Sequence, residues 1–142
     1  MKVHEVAKAY DEIVVVQPNE RIARVAARLT MAERRIACVC TIDRMLLGIV
    51  TPHDTRVGAL SGNPEWGEWP VRTVMTAHPI TCGLNDGAEQ VLDLMQRHEV
   101  RHVPIVDAEF LLLGLVSLTD LLQRTRERAR RDVDFLTSFV FG

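Results

Sequence analysis

The sequence predicts a mixed α/β fold, of the α+β kind, in which two copies of one β-α-β-β-α unit pack on each other. The stretch GIVTPHD at residues 48–54 returns as GLVSLTD at residues 114–120, an offset of 66 positions. Val25 with Val91 keeps the same offset, and so does Arg35 with Arg101. A duplication on this scale indicates two packed supersecondary units, and a site most naturally lies between them.

Length and composition favour one compact unit. Each half, at about 70 residues, would be only marginally stable alone, so we expect the halves to fold together. The net charge of −2 gives no general attraction to nucleic acid or an anionic membrane. Apolar runs fall far short of the roughly 20 residues that span a bilayer, and the amino terminus lacks the apolar core of a signal peptide. Three cysteines, an odd number, indicate reduced thiols and a cytoplasmic location.

The elements of the first copy follow from local patterns. The β-branched run at residues 13–16 predicts a short strand, and Asn19 is expected to cap the helix after it. Residues 36–42 and 45–50 predict a hairpin. Thr51 then opens a second helix, with Pro52 at the first helical position. The apolar positions of the first helix recur at helical spacing, at Ile22, Val25, Ala26 and Leu29.

The second copy repeats this order. Residues 80–82 predict the short strand, and Asn85 and Asp86 are expected to cap the next helix. Residues 102–106 and 111–116 form the second hairpin, and Ser117 opens the last helix. The predicted division is a first repeat at 1–62, a turn-rich linker at 63–70, a second repeat at 71–123 and a helical extension at 124–142.

The stretch at residues 114–120 carries a potential binding chemistry. Ser117 stands at a helix start, where unpaired N–H groups and the helix dipole favour an anion. The hydroxyls of Ser117 and Thr119 could donate to phosphate oxygens, and Asp120 could accept two hydrogen bonds from a vicinal diol such as ribose. A phosphate site beside a diol acceptor suits a nucleotide. The alternative is structural, because Thr51-x-x-Asp54 and Ser117-x-x-Asp120 are also capping boxes, which need no ligand.

Several motifs together resemble the cystathionine-β-synthase (CBS) domain pair. The second copy fits that family's Gly-hydrophobic-x-Ser/Thr-x-Ser/Thr-Asp pattern, and Val74-Met75-Thr76 matches its Val-Met-Thr. Residues 101–106, RHVPIV, look like its Arg-His-x-Pro-Val-hydrophobic strand. The resemblance covers nearly the whole chain. It implies two repeats related by pseudo-two-fold symmetry, joined through their sheets, with two adenosine-nucleotide sites in the cleft between them.

The resemblance also implies roles for individual residues of the second-repeat site. Asp120 would hold the ribose, and Ser117 and Thr119 would hold ribose or phosphate. Arg101 and His102 would lie near the phosphates. The adenine pocket would be lined by Ile80, Thr81, Val103 and Pro104.

The first-repeat site departs from the family pattern and is expected to be weaker, altered or empty. His53 replaces the second hydroxyl, and Ile36-Ala37-Cys38 stands where His-Val-Pro is expected, while Thr51 and Asp54 remain. The residues assigned to this site are Val15, Ile36, Ala37, Thr51, His53 and Asp54.

Other chemistry is not predicted. Cys38 and Cys40 alternate along a strand, which favours core or cleft thiols over a metal or redox pair. The sequence has no nucleophile elbow, P-loop or paired catalytic carboxylates, so neither catalytic nor metal-binding residues are assigned and no cofactor is required. Residues 124–131 hold five arginines and one glutamate, and the helix ends in Phe135, Leu136, Phe139, Val140 and Phe141. That aromatic end is expected to dock on its own module or on a partner subunit.

The sequence therefore predicts a stand-alone regulatory module that binds AMP, ADP, ATP or NAD, forms a homodimer and acts on an unknown protein target. Two alternatives stay open. One is an interaction scaffold whose nucleotide site is empty. The other is nucleic-acid binding through the arginine-rich helix, which lacks accompanying aromatic residues for stacking.

Overall fold

The computed structural model describes residues 1–141, with side chains through Phe139. Short 3-10 turns precede β1 and β5 and occur at Tyr10–Glu12 and Trp66–Glu68. The order of strands and helices confirms the predicted mixed α+β class. The elements are β1 Lys8–Ala9, β2 Val14–Val16, α1 Ile22–Ala32, β3 Ala37–Cys40, β4 Leu46–Val50, α2 Pro52–Leu60, β5 Thr76–Ala77, α3 Ala88–His98, β6 His102–Val106, β7 Leu112–Ser117 and α4 Leu118–Phe141.

Within residues 1–141 the strands form a four-stranded sheet, β2-β3-β4-β5, and a three-stranded sheet, β1-β7-β6. The strand predicted at residues 80–82 is reduced to one bridge between Cys82 and Ile105. There Cys82 N donates to Pro104 O at 3.0 Å, and Val106 N donates to Cys82 O at 2.9 Å. Alternate residues of a strand face the same neighbour, so the nitrogen of Pro104 also faces this segment. Proline has no N–H to donate, and the ladder stops there.

The edge strands are exchanged between the two halves of the chain. β1, which precedes the first repeat, pairs antiparallel with β7 of the second repeat. β5, which begins the second repeat, pairs antiparallel with β4 of the first. The buried side chains follow the strands, because Val3 packs in the core of the second repeat and Val71 in the core of the first. The division at residues 62, 70 and 123 stays a prediction about the sequence.

The exchanged segments also satisfy the helix starts. Ile22 N donates to Trp69 O at 2.9 Å, and Ala88 N donates to Met1 O at 2.9 Å. The N-cap residues are Arg21 and Gly87, so the predicted caps at Asn19 and at residues 85–86 are wrong. Backbone carbonyls from distant parts of the chain take the place that a capping side chain would fill. Asn19 Oδ1 instead accepts from Arg72, and Asp86 Oδ2 accepts from Gly83 N.

The two sheets pack face to face around one apolar cluster. Its members come from both repeats and include Ile36, Cys38, Cys40, Leu46, Val106, Leu112 and Leu115. Cys38 and Cys40 share this face, while Val39 between them packs in another cluster. Burial, with the neighbouring Cys40, raises the pKa of Cys38 to about 12. The predicted core position of both thiols is confirmed.

Helix α4 leaves the module after its first turn. Leu121 is fully buried, whereas every side chain from residue 125 to 139 is exposed. Phe135 is 70% exposed and Phe139 is 82% exposed, so this end does not dock on its own module. The side chains of Val140 and Phe141, predicted to belong to the same stripe, lie outside the described residues. In the part of the chain that the structure describes, none of the helices has the length and apolarity needed to cross a bilayer.

Candidate functional site

The start of α2 forms a closed capping box. Thr51 Oγ1 accepts from Asp54 N at 3.4 Å, and Asp54 Oδ2 accepts from Thr51 N at 2.9 Å. The same carboxylate oxygen also accepts from the Thr51 hydroxyl at 3.1 Å. The Asp54 carboxylate is therefore held by its own helix start, as the capping interpretation predicts.

The start of α4 is arranged differently. Ser117 Oγ accepts from Asp120 N at 3.1 Å, but Asp120 Oδ2 accepts from Lys8 Nζ at 3.0 Å. Burial raises the pKa of Asp120, yet the hydrogen bonds and the positive charge supplied by Lys8, with help from Ser117, bring this pKa below its usual value. The carboxylate is thus ionised at neutral pH and turned toward the exchanged strand β1.

A cavity of about 210 Å³, here called the Asp120 pocket, opens beside this ion pair. Both repeats and the exchanged strand contribute to its walls. Its charged groups have mixed signs, because three basic side chains face three carboxylates. The lining residues are Lys8, Glu12, Ile13, Val14, Glu33, Arg34, Arg35, Ile36, His102, Leu115, Ser117 and Asp120.

A larger cavity of about 640 Å³, the Thr51 pocket, lies at the start of α2. Its lining carries three arginines, two histidines and one glutamate, so its charge is mainly positive. The lining residues are Arg35, Ile36, Ile49, Thr51, Pro52, His53, Arg56, Glu99, Val100, Arg101 and His102. It shares Arg35, Ile36 and His102 with the Asp120 pocket, so the two cavities form one crevice.

His102 stands where the two pockets meet. Burial lowers its pKa, the charge of Asp120 opposes this change, and Lys8, Arg101 and Arg35 lower the pKa further. The net shift is below the ordinary value, so the imidazole is neutral at pH 7. A neutral imidazole both donates and accepts a hydrogen bond.

The structure groups the predicted site residues across the repeats instead of within them. From the set predicted for the second repeat, His102, Ser117 and Asp120 line one pocket, together with Ile36 of the other set. Arg101 lies in the other pocket with Thr51 and His53. The sheets pack face to face, so the end of a strand in one repeat faces a helix start in the other.

The remaining predicted residues lie outside both pocket linings. Val103 and Ala37 are fully buried in the cores of their own repeats, where they cannot touch a molecule in the crevice. Pro104 is buried as well, and Val15 packs between the sheets. The others outside the linings are Ile80, Thr81, Thr119 and Asp54.

Sequence reasoning missed several lining residues. Arg34, Arg35 and Arg56 are exposed arginines, and a positive residue beside a helix end gives little signal on its own. The recurrence of Arg35 as Arg101 at the repeat offset of 66 positions could have identified Arg35 as a lining residue. Lys8 was not identifiable, because nothing local indicates that its strand crosses to the other repeat.

Two further observations concern other possible sites in the described residues. A cavity of about 700 Å³ lies between the start of α1 and residues 64–68, and it shares no lining residue with the Asp120 and Thr51 pockets. Among the described residues, no group of three or more His, Cys, Asp or Glu side chains is placed to hold a metal ion.

The chain is similar to proteins that contain CBS domains. Residues 71–127 match the family model described as CBS domain. CBS domain-containing protein YhcV of Bacillus subtilis is 28% identical over 111 residues, which cover 78% of this chain and 76% of YhcV. Inosine-5'-monophosphate dehydrogenase of Methanocaldococcus jannaschii is 30% identical over 141 residues. That match covers 92% of this chain but 27% of the dehydrogenase, so the chain spans about a quarter of that relative.

Solved structures show the same fold. CBSX2 in complex with AMP superposes with a TM-score of 0.82 at 17% identity, over 90% of this chain and 98% of CBSX2. The CBS domain pair of protein MJ0100, in complex with 5'-methylthioadenosine and S-adenosyl-L-methionine, gives 0.79 at 18% identity, over 90% and 98%. Residues 71–127 are therefore a CBS domain, and the whole chain has the fold of a CBS-domain pair.

Proposed function

We propose that this protein is a non-catalytic regulatory module that binds an adenosine nucleotide in the crevice between its repeats. The observation that carries the proposal is the pairing of Ser117 and Asp120 at the start of α4, beside a pocket with walls from both repeats. An ionised carboxylate at that place can accept hydrogen bonds from the two hydroxyls of a ribose. The AMP complex of CBSX2 and the adenosine-type ligands of MJ0100 support this class of ligand.

The phosphates would lie toward the basic middle of the crevice. Arg35 and Arg101 occupy equivalent positions in the two repeats, and both line the Thr51 pocket. Arginine suits phosphate because its planar group donates two parallel hydrogen bonds. The volume of that pocket, about 640 Å³, lies within the roughly 300–1,000 Å³ typical of small-molecule sites.

Regulation would follow from the shared walls. A ligand that touches both repeats favours the relative arrangement that it contacts best, and this shifts the population of that arrangement. The shift cannot exceed the difference between the ligand's affinities for the two arrangements. AMP, ADP, ATP and NAD all carry the ribose and phosphate that the crevice would recognise.

The signal would pass to another protein or to a second copy of this chain. Helix α4 presents apolar side chains at Leu122, Ala129, Val133 and Leu136, which recur at helical spacing on one exposed face. A solvated helix of this kind gains most of its stability from packing, so we propose a homodimer through α4. Leu136→Asp should convert the dimer to a monomer in light scattering, whereas Ser138→Asp, on the opposite face, should leave the mass unchanged. A monomeric wild-type protein would contradict this interface.

The exposed helix also favours one second candidate function, an interaction scaffold that uses α4 and binds no nucleotide. A thermal-shift panel of AMP, ADP, ATP and NAD separates the two. A ligand present at 100 times its dissociation constant adds about 2.7 kcal/mol to the free energy of unfolding and raises the melting temperature. Asp120→Asn should abolish that rise, and Asp54→Asn should reduce it less. A panel without any rise would support the scaffold.

A further inference from the structure

The position equivalent to Lys8 in the other repeat is occupied by Thr76, which carries no charge. In the exchanged strands, Lys8 pairs with Leu115 and Thr76 pairs with Ile49, and these partners are 66 positions apart. Lys8 and Thr76 therefore approach the two helix starts in the same way. The ammonium group of Lys8 contacts Asp120 at one helix start, whereas the equivalent strand position beside the other start is occupied by uncharged Thr76.

The position of the Lys8 backbone is fixed by close packing. Gly114 lies so near that a Cβ there would stand 2.5 Å from the Lys8 carbonyl oxygen. The side chain alone thus decides where the ammonium group goes. It reaches Asp120 Oδ2 at 3.0 Å, with both side chains about a third exposed, at 33% and 31%.

The two carboxylates at the helix starts consequently differ. Asp54 accepts from the N–H and hydroxyl of Thr51, its own N-cap. Asp120 accepts from Lys8, a group that belongs to another element and can move away by rotation of its side chain. The Asp120 pocket is small, about 210 Å³ against the roughly 300 Å³ at which small-molecule sites begin, and Lys8 is part of its wall.

We infer that Lys8 makes this site selective for phosphorylated adenosines over uncharged ones, an inference that rests on the proposed function. When the two hydroxyls of a ribose bind both oxygens of the Asp120 carboxylate, they compete with the ammonium group for Oδ2. A phosphate on the same ligand offers the released ammonium a new charged partner. An uncharged ligand such as adenosine or 5'-methylthioadenosine offers none.

The surroundings make the loss of that partner unfavourable. Arg34 and Arg35 line the same pocket and repel a released ammonium group, and His102 is neutral there and supplies no negative charge. The carboxylates of Glu12 and Glu33 also line the pocket, and those of Glu5 and Glu127 line an adjoining cavity with Lys8, but all four side chains are exposed to solvent. Ion pairs in such exposed positions contribute little, so a phosphate held beside Arg35, which lines both pockets, is the stronger partner.

The test compares AMP with adenosine, which differ by the phosphate alone, by isothermal titration calorimetry. We expect wild-type protein to prefer AMP, and Lys8→Met to reduce the ratio of the two dissociation constants about tenfold, the scale of one charge-assisted hydrogen bond. Adenosine should bind Lys8→Met more tightly than wild type, because the Asp120 carboxylate is already free. Lys8→Arg should keep the wild-type ratio.

Thr76→Met is the matched control, since it changes the equivalent position beside the other helix start, and it should leave the ratio unchanged. Thermal melts of each variant check that the fold is intact. If AMP binds and Lys8→Met keeps the wild-type ratio, the role of Lys8 is overturned while the proposed function stands. If wild-type protein binds neither AMP nor adenosine, both are overturned.

Discussion

The carbonyl oxygen of Lys8 lies 2.5 Å from the point where a Cβ of Gly114 would stand. The equivalent contact in the other repeat joins Gly48 and Thr76, at 2.6 Å. The glycine that begins each repeated motif therefore provides room for the exchanged edge strand that crosses it. In both places the requirement is close approach of two backbones.

Gly114→Ala should destabilise the protein by about 1–3 kcal/mol, because the added methyl group must push β1 away from β7. Urea unfolding followed by circular dichroism measures the change. Gly83→Ala serves as the control, since its Cβ would have no neighbour nearer than 3.8 Å. Equal stability of the two variants would show that β1 is not held in this place.

Glu99→Gly should stabilise the protein by about 0.5–1 kcal/mol. Glu99 ends α3 in the left-handed region, with φ at 53°, where a side chain is disfavoured and glycine is not. Glu33, at the end of α1, has the same φ and should respond in the same way. Chemical denaturation measures whether the free energy of unfolding rises or falls. Glu89→Gly, inside α3, should instead destabilise by up to about 1 kcal/mol, and a loss of stability for Glu99→Gly would contradict the argument.

The cysteines should resist modification in the folded protein. Burial raises the pKa of Cys82 to about 12 and that of Cys40 to about 11, so at pH 8 the reactive thiolate is scarce as well as inaccessible. Ellman's reagent should label them at the rate of unfolding and fully in denaturant. Ser61→Cys, at an exposed position, provides the rapid reference. Rapid labelling of wild-type protein would mean that the space between the sheets opens.

Stability should fall as the pH is lowered through the region below 6.5. The pKa of His102 is lower in the folded protein than its ordinary value, so the unfolded chain takes up this proton at a higher pH. Between the folded and the unfolded pKa of His102, proton uptake stabilises the unfolded chain, so the free energy of unfolding falls with pH. This fall ends once the pH lies below the folded pKa. His102→Gln should flatten this part of the profile in urea titrations from pH 7.5 downward. An unchanged slope would assign the effect to another group.

Local patterns were sufficient for the hairpins, for the helices and for the starts of α2 and α4. Residues 46–50 and 112–117 are long enough, and apolar enough, to identify themselves as strands. The caps could not be predicted, because Trp69 and Met1 supply the partner carbonyls from far along the chain. Strands of two residues, such as β1 and β5, carry no periodicity at all.

The candidate site was predictable to the same extent. Ser117 and Asp120 were identifiable because a repeated motif ends a strand and begins a helix. The walls of the crevice depend on how the repeats face each other, and this brings Ile36 to Asp120 and Arg101 to Thr51. Val103, a motif position assigned to the site from the resemblance, is fully buried and packs in the core of its own repeat.

The exchange of β1 and β5 bears on how the chain can fold while it is being made. The first sheet is complete only when residue 77 has left the ribosome, and the amino-terminal strand finds its partner only when residues 114–115 have followed. Residues 8–9 therefore reach their final place only after residue 115 has emerged. A protease cut in the segment joining the repeats would yield two fragments that stay associated, because β1 of one fragment pairs with β7 of the other and β5 pairs with β4.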